Sequence, residues 1–239
     1  MKKALSKFVK KLPIDFIKER KYDSLIKKIM RIVLEEDSSF IDVGCHRGSF
    51  LIEANKFAPS GSHIGFEPIP EIYNKVITTL GGVNDIRQLG ISDERGETTF
   101  NYVKSNPLYS GIKKRSYPGK ESIEELIIKV DTLDHQLFQS PRVDLIKIDV
   151  EGAELNVLKG GINTITKFNP VIVFEYELGT SDVYGVTPAE IWSFFDKVNY
   201  SIYTLKNFIN NPLPLSFARF KEIYNSSDEH FFVARFRSS

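Results

Sequence analysis

The 239-residue sequence holds one cysteine, Cys45. That excludes a disulfide framework and a cysteine-built zinc site within the chain. No run of about 18 or more apolar residues is present, so no segment is long enough to span a bilayer as a helix. The first residues are charged throughout, with no apolar core and no small-residue cleavage site, so no secretory signal is read. Together these absences predict a cytoplasmic protein. Two phosphate-binding signatures are also missing. There is neither a G-x-x-x-x-G-K-[ST] nor a G-x-G-x-x-G, so a P-loop and a dinucleotide-type pyrophosphate cradle are both excluded.

What remains is one ordinary globular domain's worth of chain, with 41% hydrophobic and 26% charged residues, enough for a core but short for two domains. The charge is unevenly placed. Residues 1–31 hold eleven Lys/Arg against three Asp/Glu, a balance of +8, which leaves the rest at −7. A general nucleic-acid binder spreads its basic surface over the fold, so no specific nucleic-acid partner is expected.

Leu5, Phe8, Val9 and Leu12 recur at helical spacing until Pro13, and Leu25, Ile26, Ile29, Met30 and Val33 form a second such pattern. Residues 1–36 are therefore set apart as a basic helical extension, and 37–239 as the main domain. The extension either packs its helices on the domain edge with its lysines solvated, or offers a basic arm for peripheral contact with a membrane or a partner.

From Ser38 onward the chain alternates. Strands are predicted at Phe40–Val43, Ile64–Phe66, weakly at Ile86–Ile91, at Leu145–Asp149 and at Val171–Phe174. Helices are predicted at Ser49–Phe57, Glu71–Leu80 and through Leu155, Leu158, Ile162 and Ile165. Such alternation implies right-handed βαβ units and a mostly parallel, doubly wound α/β sheet. Thr187-Pro188-Ala189-Glu190 reads as a capping box opening a helix through Val198. Tyr200–Leu205 and His230–Phe236 read as a closing antiparallel pair. Thr99–Val103 and Leu126–Val130 look like an inserted antiparallel pair with a basic loop at its tip. That loop and residues 206–229 are long connections, hence candidates for substrate contact.

Asp42-Val43-Gly44-Cys45-His46-Arg47-Gly48 falls at the end of the first strand, where open α/β sheets hold ligands. Gly44 permits a tight turn and close approach of a cofactor, and Gly48 lets the next helix pack near the strand. The G-x-x-x-G spacing suits a cofactor without phosphates. Glu67 ends the second strand, where an acidic side chain bonds ribose hydroxyls. Asp42 is either a cofactor contact or a core hydrogen-bonding residue. Cys45 is counted with the cofactor loop, its side chain read as packed rather than nucleophilic, and His46 is read as a solvent-facing residue at the helix start or, in the alternative, as a base titrating near neutral pH.

Alternation places Leu145, Lys147 and Asp149 on one strand face, with Asp149 and Glu175 at equivalent strand ends. Two carboxylates and a lysine there form either an acid/base and orienting set or a structural ion pair. Glu151 and Glu154 are expected to stabilise the following helix N-terminus. No metal site is assigned, although an oxygen-rich set of this kind accepts divalent cations.

The segments Phe40–Gly48, Gly65-Phe66-Glu67-Pro68, Gly90-Ile91-Ser92-Asp93 with Gly96-Glu97, Val130–Asp134 and Ile146–Glu154, continued by Val157–Gly161, together resemble the FkbM-type methyltransferase family over about residues 38–205. His46 and Arg47 stand where that family usually has Asn and an Ile-like residue. The resemblance implies a class I methyltransferase fold: a Rossmann-like, doubly wound sheet, mostly parallel with an antiparallel final strand. It also implies S-adenosylmethionine as cofactor and O-methylation of a sugar, glycan or natural product. Carried over, Gly44 and Gly48 line the methionine part, Glu67 the ribose, and Ser92 and Asp93 the adenine. Asp149 lies near the methyl or amino group. Asp149 or Glu175 is the expected base, with Lys147 holding a carboxylate. An Asn/Asp-Pro-Pro-Tyr sequence after the fourth strand, expected of many base-methylating enzymes, is absent, which favours an oxygen target. A non-catalytic scaffold and a nucleic-acid methyltransferase are the alternative readings.

Overall fold

A computed structural model describes residues 14–117, 119–210 and 213–237, with side chains from Arg20 onward. The expected helix around Leu5–Leu12 lies outside the described residues. Helix α1 (Ile14–Val33) starts directly after Pro13 and leads to β1 (Phe40–Val43), α2 (Ser49–Phe57), β2 (His63–Phe66), α3 (Pro70–Leu80) and β3 (Asp85–Arg87). The chain continues through β4 (Gly90–Ser92), β5 (Gly96–Val103), β6 (Ile123–Thr132), α4 (Leu133–Gln136) and β7 (Leu145–Ile148). Next come α5 (Glu154–Gly160), α6 (Ile162–Phe168), β8 (Val171–Glu175) and α7 (Pro188–Lys197). β9 (Tyr200–Thr204), α8 (Leu205–Asn210), α9 (Phe217–Ser226) and β10 (Phe231–Phe236) follow.

Seven strands form one sheet in the order β3-β2-β1-β7-β8-β10-β9, parallel except for β10, which runs against both neighbours. Every residue of β1, β2 and β7 is buried, as a sheet covered on both faces requires. One face packs Ile41, Val43, Phe66, Ile146, Ile148 and Phe174 beneath α5, α6, α7 and α9. The other packs Phe40, Leu145, Val173 and Val233 beneath α1, α2 and α8. Tyr22, Ile26, Ile29 and Met30 of α1 are buried in that second layer. At about 1.5–3 kcal/mol for each large buried side chain, α1 is an integral part of the core. No helix among the described residues is long and apolar enough to cross a membrane.

Three expectations from sequence are corrected. The weak strand at Ile86–Ile91 is two strands: β3 ends at Arg87, the Leu89 N–H bonds back to the Arg87 carbonyl at 3.0 Å, and β4 leaves for a second sheet. That sheet has the order β4-β6-β5, with β5 antiparallel to β6 from Gly96↔Val130 to Val103↔Ile123, which is the inserted pair read from sequence. The helix through Leu155–Ile165 is two helices separated at Gly161. Residues 206–229 are no open connection, because α8 and α9 occupy much of them and bury Phe208, Phe220, Ile223 and Tyr224. The capping box of α7 forms as read, with both Thr187–Glu190 hydrogen bonds present.

Candidate active site

β1 delivers the chain to the sheet edge at Val43, and the turn that follows is backbone against backbone. Gly44 sits at φ +81°, and a Cβ there would stand 2.0 Å from the Asp149 carbonyl oxygen. Only glycine fits such a contact. Gly48 sits at φ +71°, where a Cβ would come within 2.4 Å of Leu80 Cδ1 and 2.8 Å of Val76 Cγ2. Its small size admits α3 against the loop, a different service from the strand approach expected of it. His46, at φ +46°, is half-buried and lines the crevice instead of facing solvent. Burial, aided by the charge of Arg47, lowers its imidazole pKa, so it is uncharged at neutral pH.

Glu67, buried at the end of β2, ties this loop down. Its Oε2 accepts the His46 N–H at 3.1 Å and its Oε1 the Ile69 N–H at 2.8 Å. Burial outweighs those two donors and pushes its pKa up to about 7. Gly44, His46, Glu67, Asp149 and Glu151 form the polar side of a crevice at the carboxyl ends of β1, β2 and β7. Phe66, Leu89, Ile91, Phe100, Leu108, Ile112 and Ile128 form the facing apolar side.

Register places Asp42 beside Lys147 in adjacent strands. Lys147 Nζ lies 3.4 Å from Asp42 Oδ1 and 3.1 Å from Asp149 Oδ2, and 5.2 Å from the centre of the Phe50 ring. The Lys147 side chain is only 4% exposed, whereas that of Asp149 is 30% exposed. The lysine is therefore sealed beneath the carboxylate that faces the crevice. Burial opposes its charge, but Asp149 and Asp42 together raise its pKa above the ordinary value. Asp42 is fully enclosed and does not line the crevice. Its Oδ2 has no hydrogen-bond partner among the described residues, and burial raises its pKa to about 6 against the pull of Lys147. The arrangement makes Asp42 a core partner of Lys147, one of the two roles read for it from sequence.

Asp149, Glu151 and Glu175 each offer a carboxylate oxygen within 4.8 Å of the others. Such a trio could hold a divalent cation. One of the three already has a cation of the chain as its partner. Arg115 Nη1 reaches Glu151 Oε2 at 2.9 Å, from the basic loop between β5 and β6. Burial, with Asp149, Glu151 and Glu177 nearby, lifts the Glu175 pKa well above the carboxylate range, and its Oε2 is buried without a partner among the described residues. Glu151 turns toward Arg115 and this cluster instead of serving a helix N-terminus. Glu154 does serve the turn before α5, accepting the Val150 N–H at 3.1 Å and the Gly152 N–H at 3.2 Å.

Of the residues singled out from sequence, the crevice gathers Gly44, Glu67 and Asp149, with Lys147 beneath. Cys45 is buried in the layer under α1 and α2, and burial pushes its thiol well up, so it is inert packing. Ser92 and Asp93 lie outside the crevice lining: Asp93 Oδ1 accepts from Ser92 Oγ at 3.1 Å and from Asn156 Nδ2 at 2.7 Å. The three residues before them, Leu89, Gly90 and Ile91, line it instead. Phe100, Leu108, Ile112 and Ile128 were missed, since nothing in their spacing says that the second sheet folds over the first strand ends.

A sheet of this order with one reversed strand, a glycine turn after β1 and an acid after β2 defines a Rossmann-like methyltransferase fold. The methyltransferase FkbM from Methylobacillus flagellatus KT shares that fold, with a TM-score of 0.50 and 14% identity over 71% of this chain and 40% of that one. The Methyltransferase FkbM domain model matches residues 42–202, and the chain belongs to that family of methyltransferases. Hexuronic acid methyltransferase AglP of Haloferax volcanii is 32% identical over 61% of this chain and 60% of its own length. The 2-O-methyltransferase NoeI of Sinorhizobium fredii is 25% identical over 59% of this chain and 64% of its own. The chain therefore spans about three-fifths of the length of these curated relatives.

Proposed function

We propose that the protein is an S-adenosylmethionine-dependent O-methyltransferase acting on a hydroxyl of a sugar, glycan or hydroxylated natural product. The observation that carries this reading is the Lys147–Asp149 pair: a buried cation holding one partly exposed carboxylate at the crevice beside Gly44. The crevice suits the cofactor. Gly44 keeps open a place that a Cβ would fill, Glu67 stands where ribose hydroxyls need an acceptor, and the apolar wall suits an adenine ring. S-adenosylmethionine, when bound, supplies an electrophilic methyl group on a sulfonium.

The chain's own task is to orient the acceptor and remove its proton as the new bond forms. Asp149 takes that proton, because its carboxylate is partly exposed and lines the crevice, which Glu175 does not. Lys147 fixes the Asp149 carboxylate in place. AglP and NoeI are by name a hexuronic acid methyltransferase and a 2-O-methyltransferase, which favours a saccharide hydroxyl as the acceptor.

The test is a screen of sugars, uronic acids and hydroxylated natural products with methyl-tritiated cofactor, followed by Asp149→Asn on the best acceptor. Turnover is expected to fall at least ~100-fold, the scale of general-base loss. Near-wild-type turnover of that variant would remove Asp149 from the chemistry.

A further inference from the structure

Helix α1 has two unlike faces. Tyr22, Ile26, Ile29 and Met30 are buried against the sheet, while Lys21, Lys28, Arg31 and Ile32 are exposed. Lys27, Lys28 and Arg31 help line a groove closed on one side by Phe57, over whose ring the Arg31 guanidinium lies at 5.7 Å. Lys27 is paired with Glu53 at 3.2 Å. Lys21, Lys28 and Arg31 have no carboxylate within 4.0 Å among the described residues.

Ile32, 57% exposed, follows Lys28 by four residues and so stands on the same face. The thirteen residues that precede α1 add five lysines and the Leu5, Phe8, Val9, Leu12 stripe to this end of the chain. The N-terminal end of α1 lies near the carboxyl ends of the strands, whereas Arg31, over Phe57 at the end of α2, lies toward their amino ends. Tyr22 Oη donates to Glu229 at 3.0 Å and accepts the His230 N–H at 3.2 Å, beside the start of β10. Asp23, one turn before Lys27, lines the same groove.

We propose that this face of α1 docks the protein on an anionic phospholipid bilayer. Clustered cations draw the helix to the surface, their stems lie along it, and an exposed apolar residue among them enters the headgroup boundary. Each cation near an anionic leaflet raises partition by about fivefold. The docking does not depend on the identity of the methyl acceptor.

The experiment is co-sedimentation of the full chain with phosphatidylcholine vesicles and with vesicles containing phosphatidylglycerol. Binding is expected only to the anionic vesicles, and to fade when salt shortens the screening length. Lys28→Glu with Arg31→Glu should lower partition at least ~10-fold, with melting temperature and S-adenosylmethionine affinity unchanged. Lys221→Glu, an exposed reversal on α9, should leave it unaltered. Lys21→Glu with Ile32→Ser is the second pair, should the first fail to fold. Absent binding to anionic vesicles overturns the proposal, as does equal binding by the charge-reversed variants. Salt-sensitive capture of a single-stranded RNA by the same face without vesicle binding overturns it as well.

Discussion

The polar wall of the crevice comes from a few residues at the ends of three neighbouring parallel strands, whereas the apolar wall, apart from Phe66 of β2 and Leu89, is gathered from β4, β5, β6 and the loop after β5. In the first wall, strand register does the positioning: Asp42 lies beside Lys147, and Lys147 holds Asp149 two residues on. In the second, position follows from a small sheet folding back over the first, with Ile128 and Phe100 joining Ile69 and Ile72 in a core of their own. The polar wall thus depends on charge and backbone contact, and a single change should damage both fold and chemistry. The apolar wall depends on contact area, and a change at its exposed rim should damage binding alone.

The sharpest way to break that contrast is Lys147→Met. Removing the ammonium leaves Asp42 enclosed and unpaired and frees Asp149 from its anchor. Denaturant unfolding should show a loss of about 3–5 kcal/mol, the usual cost of stranding one partner of a buried pair. A variant as stable as the wild type would mean that the pair contributes nothing to the fold. Leu108→Ala probes the other wall. Leu108 is 41% exposed and lines the crevice, so its truncation should weaken nucleoside binding by up to about tenfold, near the value of a buried leucine side chain. Its melting temperature should stay put. A lowered melting temperature would show that this rim belongs to the core.

The smallest effect expected is in the pH response. The Glu67 pKa is about 7 in the folded chain against an ordinary value of 4.5. The folded state therefore holds the proton more tightly, and the stability this gives is full below about 4.5 and lost as pH rises through about 7. Glu154, also raised to about 7, and Asp42, raised to about 6, act in the same direction. In Glu67→Gln, melting temperature should fall less steeply between pH 5 and 7 than in the wild type. An unchanged slope would show that Glu67 is ionised throughout.

The same contrast governs what could be read from the sequence. The mostly parallel sheet and the Gly44, Glu67 and Asp149 positions were legible because parallel strands carry apolar runs and their carboxyl ends share one edge. The Lys147 pairing was half-legible, since a lysine in a buried strand demands a partner, yet only the register shows that it serves Asp42 and Asp149 together. The second sheet was legible as a hairpin-like pair, but its docking site was not, because Phe100 and Ile128 look like any half-buried strand residues. The departure of β4 from the main sheet turns on the single tight turn at Leu89, which carries no glycine or proline to mark it. Glu175 ends its strand as read and stands beside Asp149 and Glu151, but its place behind the crevice lining shows only in the structure.

Isothermal titration with S-adenosylmethionine, for the wild type and for Gly44→Ala, tests the central claim most directly. The Cβ in that variant meets the Asp149 backbone, so the turn beneath the crevice must shift. The wild type is expected to bind in the micromolar range and the variant at least ~100-fold more weakly, with NAD bound by neither. Absence of S-adenosylmethionine binding by the wild type, or equal affinity in the variant, would contradict that claim.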